Sequence, residues 1–289
     1  MTVEVRQQVR IGIINGYPKA DRAELDRAGM TSADKLYHDV LNRRFPELQL
    51  ESLFLADPDV PVPAGSSLHD FDAFIWTGSK LTIYHDIPEV KRQIAFSRAL
   101  FEAGKPQCGS CWGVQMAAVA AGGEVLKMEQ GRETYIARKH TLTPEGRASL
   151  LYEGKPDVFD GFVNHLDEVT RIPDSGVLLA TGGHCHVQSL EVKHKKGTFW
   201  GLQYHPEYNL MEMAKLMEAR GDALINEGFF ANWETLKDMT GKMTRLHNDP
   251  SNESLKQELD VGADILDDDL REAEIVNYFK HLVLPNLRR

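Results

Sequence analysis

A chain of 289 residues with 33 Lys and Arg against 43 Asp and Glu, a formal charge of −10 and a pI near 5.6 is poorly suited to the phosphates of nucleic acid or to anionic membrane. With 42% hydrophobic and 26% charged residues it has the composition of a globular protein able to bury a sizeable core. Three cysteines are too few for a disulfide scaffold, no stretch nears the ~18 apolar residues of a membrane span, and MTVEVRQQVRIGIING lacks the pattern of a secretory signal; these imply a reduced, cytoplasmic protein.

RIGIIN (residues 10–15) is a short apolar run closing on the turn signal Asn15-Gly16 and predicts a buried strand. SADKLYHDVLNRRF follows, with Leu36, Tyr37, Val40, Leu41 and Phe45 at helical spacing. LQLESLFL (48–55) and DAFIWTGS (72–79) predict further strands, the second ending in a Gly-Ser turn, and residues 89–103 predict a helix stopping near Gly104. A strand-like PQC then leads into GSCWG, after which WGVQMAAVAAGG reads as an Ala-rich helix. VLLAT (177–181), HVQSLEV (186–192) and TFWGLQY (198–204) predict shorter strands, and Leu210 to Ile225 a helix. Strands alternating with helices imply an α/β protein: a three-layer, open, mostly parallel sheet with helices on both faces.

From about Ala231 strand signals cease. The reading is a domain over 1–230 and a helical C-terminal extension over 231–289, of two or three helices. Its run Asp267-Asp268-Asp269 reads as an acidic helix start rather than a metal site.

CGSCWGVQ (108–115) holds two of the three cysteines and permits two chemistries. Cys108 and Cys111 form a C-x-x-C, the spacing of a redox pair. The same letters contain Gly-x-nucleophile-x-Gly between a strand and a helix, the setting of a nucleophile elbow. There Gly109 and Gly113 remove side chains from a sharp turn, Cys111 sits at a helix N-terminus that favours thiolate, and the Trp112 amide can donate to an oxyanion. A thiolate nucleophile needs a base. Among eleven histidines, His205 in GLQYHPEY ends a strand-like run, and in extended chain Glu207 would share its side and orient the ring. WTGSK (76–80) supplies a strand breaking at Gly78, where backbone N–H groups can aim at the same site. A metal site from His184, Cys185, His186 and His194 is the remaining alternative; on a strand Cys185 points away from both neighbours, so the set does not converge.

Taken together, GSCWGVQ, the later GLQYHPE, GRETYIARKHTLTPEG and VNHLDEVTRIPDSGVLLAT resemble the class I (triad) glutamine amidotransferase family, nearest to stand-alone relatives of the GMP synthetase glutaminase domain, over roughly residues 10–228. The resemblance implies a flavodoxin-like glutaminase fold with Cys111 as nucleophile, His205 as base and acid and Glu207 as its orienter. It places Gly78, Ser79 and Trp112 in the oxyanion region and Gln115, Asn164 and His165 against the glutamyl substrate. It implies hydrolysis of glutamine or a γ-glutamyl amide through a thioester, without metal or organic cofactor, the amide hydrolase being favoured. An ammonia-supplying role beside a separate synthetase subunit, and an inactive binding scaffold, stay as alternatives. Val114, Asn164 and Lys80 depart from the family pattern and are expected to flank the pocket and shape its preference for the leaving amine.

Overall fold

Strand β1 (Arg10–Ile14) turns Ile11 and Ile13 to one face of a sheet and Ile14 to the other, and each face is covered by its own apolar cluster. Burial on both sides is why the run reads as continuously apolar. The computed structural model describes residues 8–58 and 67–287. Residues 1–7, which begin the stretch judged not to be a secretory signal, and 288–289, which end the C-terminal segment, lie outside the described residues, as do 59–66.

In chain order, β1 is followed by α1 (Lys19–Arg27), α2 (Ala33–Arg44), β2 (Gln49–Leu53), β3 (Ala73–Trp76), α3 (Pro88–Ala103), β4 (Gln107–Ser110) and α4 (Trp112–Ala120). Then come β5 (Glu124–Lys127), β6 (Glu133–Leu142), α5 (Pro144–Ala148), β7 (Val158–His165), β8 (Asp167–Arg171), β9 (Gly176–Thr181), β10 (Ser189–His194) and β11 (Gly197–Leu202). Helices α6 (Leu210–Ala219), α7 (Gly221–Asn226), α8 (Trp233–Asn248), α9 (Glu253–Leu259), α10 (Ala263–Leu266), α11 (Asp268–Arg271) and α12 (Ala273–Asn277) follow.

The main sheet has the order β2-β1-β3-β4-β11-β10-β9-β6-β7, and β5 and β8 form a separate pair. From β2 across to β11 neighbours run parallel; from β11 to β7 they run antiparallel. The α/β architecture is as expected, with a sheet more mixed than the expected mostly parallel one. Only a two-residue turn, with Lys195 at φ 53°, joins β10 to β11, and a connection that short closes only an antiparallel pair.

Helices α3 and α4 cover one face through Val90, Leu100, Phe101, Trp112 and Val114. The other face lies under Tyr37, Val40 and Leu41 of α2 and under Ile275, Tyr278, Phe279 and Val283 near the C-terminus. The C-terminal segment holds more helices than the expected two or three, α8 and α9 being followed by the short α10, α11 and α12, and Asp267 caps α11 by accepting from the Asp269 N–H at 2.8 Å. The helix expected over 210–225 is broken at Arg220, where a Cβ on Gly221 would stand 2.1 Å from the Trp233 ring.

The C-terminal turns reach the sheet through a buried ion pair. Lys155 Nζ lies 2.8 Å from Glu274 Oε1, with side chains 2% and 0% exposed, and the Tyr204 hydroxyl donates to the same carboxylate oxygen at 2.6 Å. Removing one partner of such a pair strands the other charge. Glu274→Ala should therefore cost about 3–5 kcal/mol, read as a lower urea midpoint. Lys155→Met combined with Glu274→Leu should recover most of that loss; a double variant no more stable than Glu274→Ala would contradict this account.

Candidate active site

Strand β4 ends at Ser110 and α4 begins at Trp112, so the chain reverses within one residue, Cys111, at φ 50° and ψ −94°. Such a conformation costs on the order of 1–3 kcal/mol and persists where its surroundings enforce it. Here the Cys111 N–H donates to the Leu202 carbonyl on β11 at 2.6 Å. A Cβ on Gly109 would lie 2.6 Å from both the Cβ and the carbonyl oxygen of Trp76, so that glycine is required. Gly113 is not needed in the same way: a Cβ there would meet Trp76 at an ordinary 3.5 Å.

His205 lies beyond β11, its N–H donating to the Phe162 carbonyl at 2.8 Å and its ring stacked on Tyr208 at 4.2 Å. Its Nδ1 is 2.7 Å from Glu207 Oε1. The expected geometry for this pair was an extended strand. The chain instead turns, with the Tyr208 N–H donating to the His205 carbonyl at 3.3 Å and Pro206 at the second position of the turn, where its fixed φ fits. Glu207 Oε1 also accepts from the Ser110 hydroxyl at 2.7 Å, and Ser110 accepts from the Tyr37 hydroxyl at 3.0 Å. The residue before Cys111 therefore supports the carboxylate that faces His205.

His205 and Glu207 are both nearly buried, at 3% and 6% exposure. Burial opposes a charge on the imidazole, but the Glu207 carboxylate and then the Cys111 sulfur outweigh it and push its pKa up to about 10. Gly78 closes on the same point. A Cβ there would lie 3.0 Å from His205 Cε1, 3.9 Å from Cys111 Cβ and 3.8 Å from the Tyr17 hydroxyl. The Gly78 loop is tied to the loop after β1: Ser79 Oγ donates to the Gly16 carbonyl at 2.9 Å, and the Gly16 N–H to Thr77 Oγ1 at 3.1 Å. Among the described residues the backbone N–H groups of Gly78 and Ser79 have no acceptor, and the Trp112 N–H, first in α4, has none within its helix.

A cavity of about 430 Å³ opens above Cys111. Of the residues expected at the substrate, Ser79, Gln115, Asn164 and His165 line it together with Lys80. Gln115 Nε2 donates to the Asp167 carbonyl at 3.3 Å, and Asn164 Oδ1 accepts from Arg132 at 3.2 Å. The His165 ring is engaged at both nitrogens, by the Asp167 carbonyl and by Glu133, each at 3.0 Å. Val114 does not flank the cavity: it is fully buried, and a Cβ on Gly201 would lie 2.9 Å from its methyl. The turn of α4 directs it onto the sheet, so the expectation that it shapes the pocket is corrected.

Sequence reasoning missed Tyr17, Asp167 and Arg220, which also line the cavity. Asp167 stood inside a quoted motif and had a signal. Its carboxyl is raised by burial and held back by the Tyr84 hydroxyl, which donates to it at 3.1 Å. Tyr17 follows the Asn-Gly turn directly, whereas Arg220 had no signal because it fell inside an apparently continuous helix.

Cys108, Cys185 and the histidines of the alternative metal set, His184, His186 and His194, are not among the residues lining this cavity. Cys108 is buried in the cluster beneath Tyr278, its thiol pushed far up by burial, and all three cysteines are free. His184 faces the Gly131 carbonyl, His186 the Thr181 hydroxyl and His194 the Phe101 ring, while Cys185 is fully buried. Among the described residues no three His, Cys, Asp or Glu side chains gather as metal ligands would, and no helix is long and apolar enough to cross a membrane.

A family model for glutamine amidotransferase class-I matches residues 80–221. A gamma-glutamyl-L-1-hydroxyisopropylamide hydrolase from Pseudomonas sp is 33% identical over 291 residues, covering 98% of this chain and 96% of that one. The GMP synthase of Chlorobium phaeovibrioides is 30% identical over 205 residues, 69% of this chain but only 37% of that enzyme. In fold, a glutamine amidotransferase from Thermotoga maritima superposes with a TM-score of 0.68 at 16% identity, covering 96% of this chain and 100% of that one. With a curated relative matched end to end, a family model spanning the elbow region and a shared fold, the chain belongs to the class I glutamine amidotransferase family.

Proposed function

We propose that the protein hydrolyses the γ-amide bond of γ-glutamyl amides, with Cys111 as nucleophile, His205 as general base and acid and Glu207 as the group that orients His205. The observation that carries this reading is the convergence of Gly78, Cys111 and His205, with Cys111 opening onto the cavity and Glu207 hydrogen-bonded to His205 Nδ1. The thiolate adds to the γ-carbonyl carbon, and the resulting oxyanion meets the N–H groups of Trp112 and the Gly78–Ser79 loop; each such donor contributes about 3 kcal/mol to transition-state stability. His205 protonates the leaving nitrogen, and the C–N bond breaks to give a γ-glutamyl thioester. It then takes a proton from water, which attacks the thioester and releases glutamate.

The glutamyl end is held on the wall of Gln115, Asn164, His165 and Asp167. The Asp167 carboxylate suits an ammonium, since a buried carboxylate gains from an opposite charge. Arg132 is bound to Glu227 and Asn164, and the His165 ring is occupied at both nitrogens, so these two shape the wall. The relative matched along its whole length is named a hydrolase of a substituted γ-glutamyl amide, which favours an amine over ammonia as leaving group. A second reading is supported by the match to a glutamine-hydrolyzing GMP synthase subunit of Methanococcus maripaludis, 31% identical over 43% of this chain: glutamine hydrolysis that delivers ammonia to a separate synthetase subunit.

Glutamate release from glutamine and from γ-glutamyl alkylamides separates these readings. Cys111→Ala should reduce turnover of every substrate by more than about a thousandfold; residual activity above that would remove Cys111 from its role. Gly78→Ala should lower kcat by about 10- to 100-fold, because the added methyl displaces His205 from the reacting atoms.

The His205 ring provides a pH test. Its folded pKa lies above the ordinary value near 6.5, so the ion pair's stabilisation is fully present below that value and lost as pH rises through about 10. Glu207→Gln removes the strongest group raising it and should move the imidazole titration, followed by NMR, to lower pH. An unmoved titration would show that Glu207 does not hold the ring's charge.

A further inference from the structure

The hydrolase reading leaves one wall of the cavity unassigned. With the carbonyl carbon at Cys111, its oxygen at the Trp112 and Gly78 loops and the glutamyl chain toward Asp167, the leaving nitrogen must face His205. A substituent on that nitrogen then faces the part of the cavity lining that includes Tyr17, Lys80, Arg220 and Ala223. Tyr17 belongs to this side because a Cβ on Gly78 would lie 3.0 Å from His205 Cε1 and 3.8 Å from the Tyr17 hydroxyl, and Arg220 lines the same cavity, its charge acting on the Tyr17 phenol.

The cations along the cavity are not equivalent. Lys80 is held by Glu24 at 2.8 Å and Asp21 at 3.7 Å, and neither acid lines the cavity. Arg132 is clamped by Glu227 at 2.7 Å. Lys127 is exposed on the opposite wall, in register with Asp167. Arg220, half-buried, makes no side-chain hydrogen bond or ion pair among the described residues, and the Tyr17 hydroxyl on the same cavity makes none either. The break between α6 and α7 places it there: Gly221 admits the Trp233 ring against the backbone, and Trp233 Nε1 donates to Asp222 at 3.0 Å. A planar fork of five donors without an acceptor suits a carboxylate, which takes two of its N–H groups at once.

We propose that Arg220, with the Tyr17 hydroxyl, forms a leaving-group subsite selecting γ-glutamyl amides whose amine carries a hydrogen-bond acceptor, a carboxylate above all. A neutral alkylamine gains nothing there, and an amine with a second positive charge is repelled. The reaction itself is unchanged: the amide C–N bond is broken, water supplies the hydroxyl, and the amine leaves with the proton from His205. This inference rests on the hydrolase reading, and its test is arranged to fail separately from it.

Four γ-glutamyl amides of nearly equal size vary only the end group: those of glycine, ethanolamine, ethylamine and ethylenediamine. A charge-assisted hydrogen bond corresponds to about a tenfold to hundredfold preference. kcat/KM should therefore fall in the order glycine, ethanolamine, ethylamine, ethylenediamine, with the first exceeding the third by that factor. Arg220→Gln should bring the glycine-to-ethylamine ratio near one, and Arg220→Lys should retain part of it; loss of folded protein cancels in the ratio. The same order should appear in Kd measured calorimetrically with Cys111→Ala, where no turnover is needed. A flat or inverted order of Kd, or an Arg220→Gln protein that loses activity while keeping the wild-type ratio, overturns the inference. The second outcome would place Arg220 at the glutamyl carboxylate. Absence of glutamate release with the Kd order intact would defeat the hydrolase reading alone.

Discussion

The single residue on which the site depends is Cys111, held at φ 50° between a strand and a helix. A backbone in that region is disfavoured for any side chain and has to be imposed from outside. It is imposed by β4 lying between β3 and β11: the Trp76 backbone closes against Gly109 on one side, and Leu202 takes the Cys111 N–H on the other. Because the turn is central in the sheet, its neighbours cannot relax without parting two parallel ladders. The strain therefore serves to lift the sulfur above the strand ends and leave the first N–H groups of α4 unpaired beside it.

The same turn organises the acid. Ser110, one residue before Cys111, donates to Glu207, and Tyr37 on α2 donates to Ser110. Glu207 thus faces His205 with one oxygen that is already shared, which limits how the imidazole can rotate. His205 is also fixed from the antiparallel half of the sheet, through Phe162 on β7. The site stands where the two halves of a mixed sheet meet. The parallel half presents the sulfur and the free N–H groups and, beyond β11, His205, while β7 fixes His205 through Phe162 and supplies Asn164 and His165 of the far wall of the cavity.

Much of this was legible in the chain. Continuous apolar runs such as RIGII and AFIW mark strands buried on both faces, and Gly109 before Cys111 marks a turn where a side chain has no room. The segments that escaped are those whose pattern the tertiary structure overrides. Strand β6 carries Tyr135 and Lys139 at positive φ and shifts register between Ala137 and His140, so its alternation is broken. Helix α1 buries only Leu25 and shows no apolar stripe. Val114 was misassigned because its place in the motif fixes its distance from Cys111 but not the direction in which α4 points it. Arg220 escaped because the break that exposes it is set by Trp233, twelve residues beyond Gly221 and packed onto it only in three dimensions.

In the proposed binding mode the cavity divides into two kinds of wall, and the division has a physical basis. On the glutamyl side, His165 is locked at both nitrogens, Arg132 is clamped to Glu227 and Asp167 is anchored through Tyr84 and its backbone carbonyl. Groups locked in this way lose little freedom when a ligand arrives, so they suit the part common to all γ-glutamyl substrates. On the amine side the lining comes from the loop after β1, the loop after β3 and the junction of α6 and α7, with Arg220 not tied to an acceptor. An untied guanidinium is a poor general platform, because it must be ordered and partly dehydrated on each binding event, yet it discriminates strongly between end groups that satisfy it and those that do not. A hydrolase built this way would keep its reacting centre unchanged and alter its choice of amine through one helix junction.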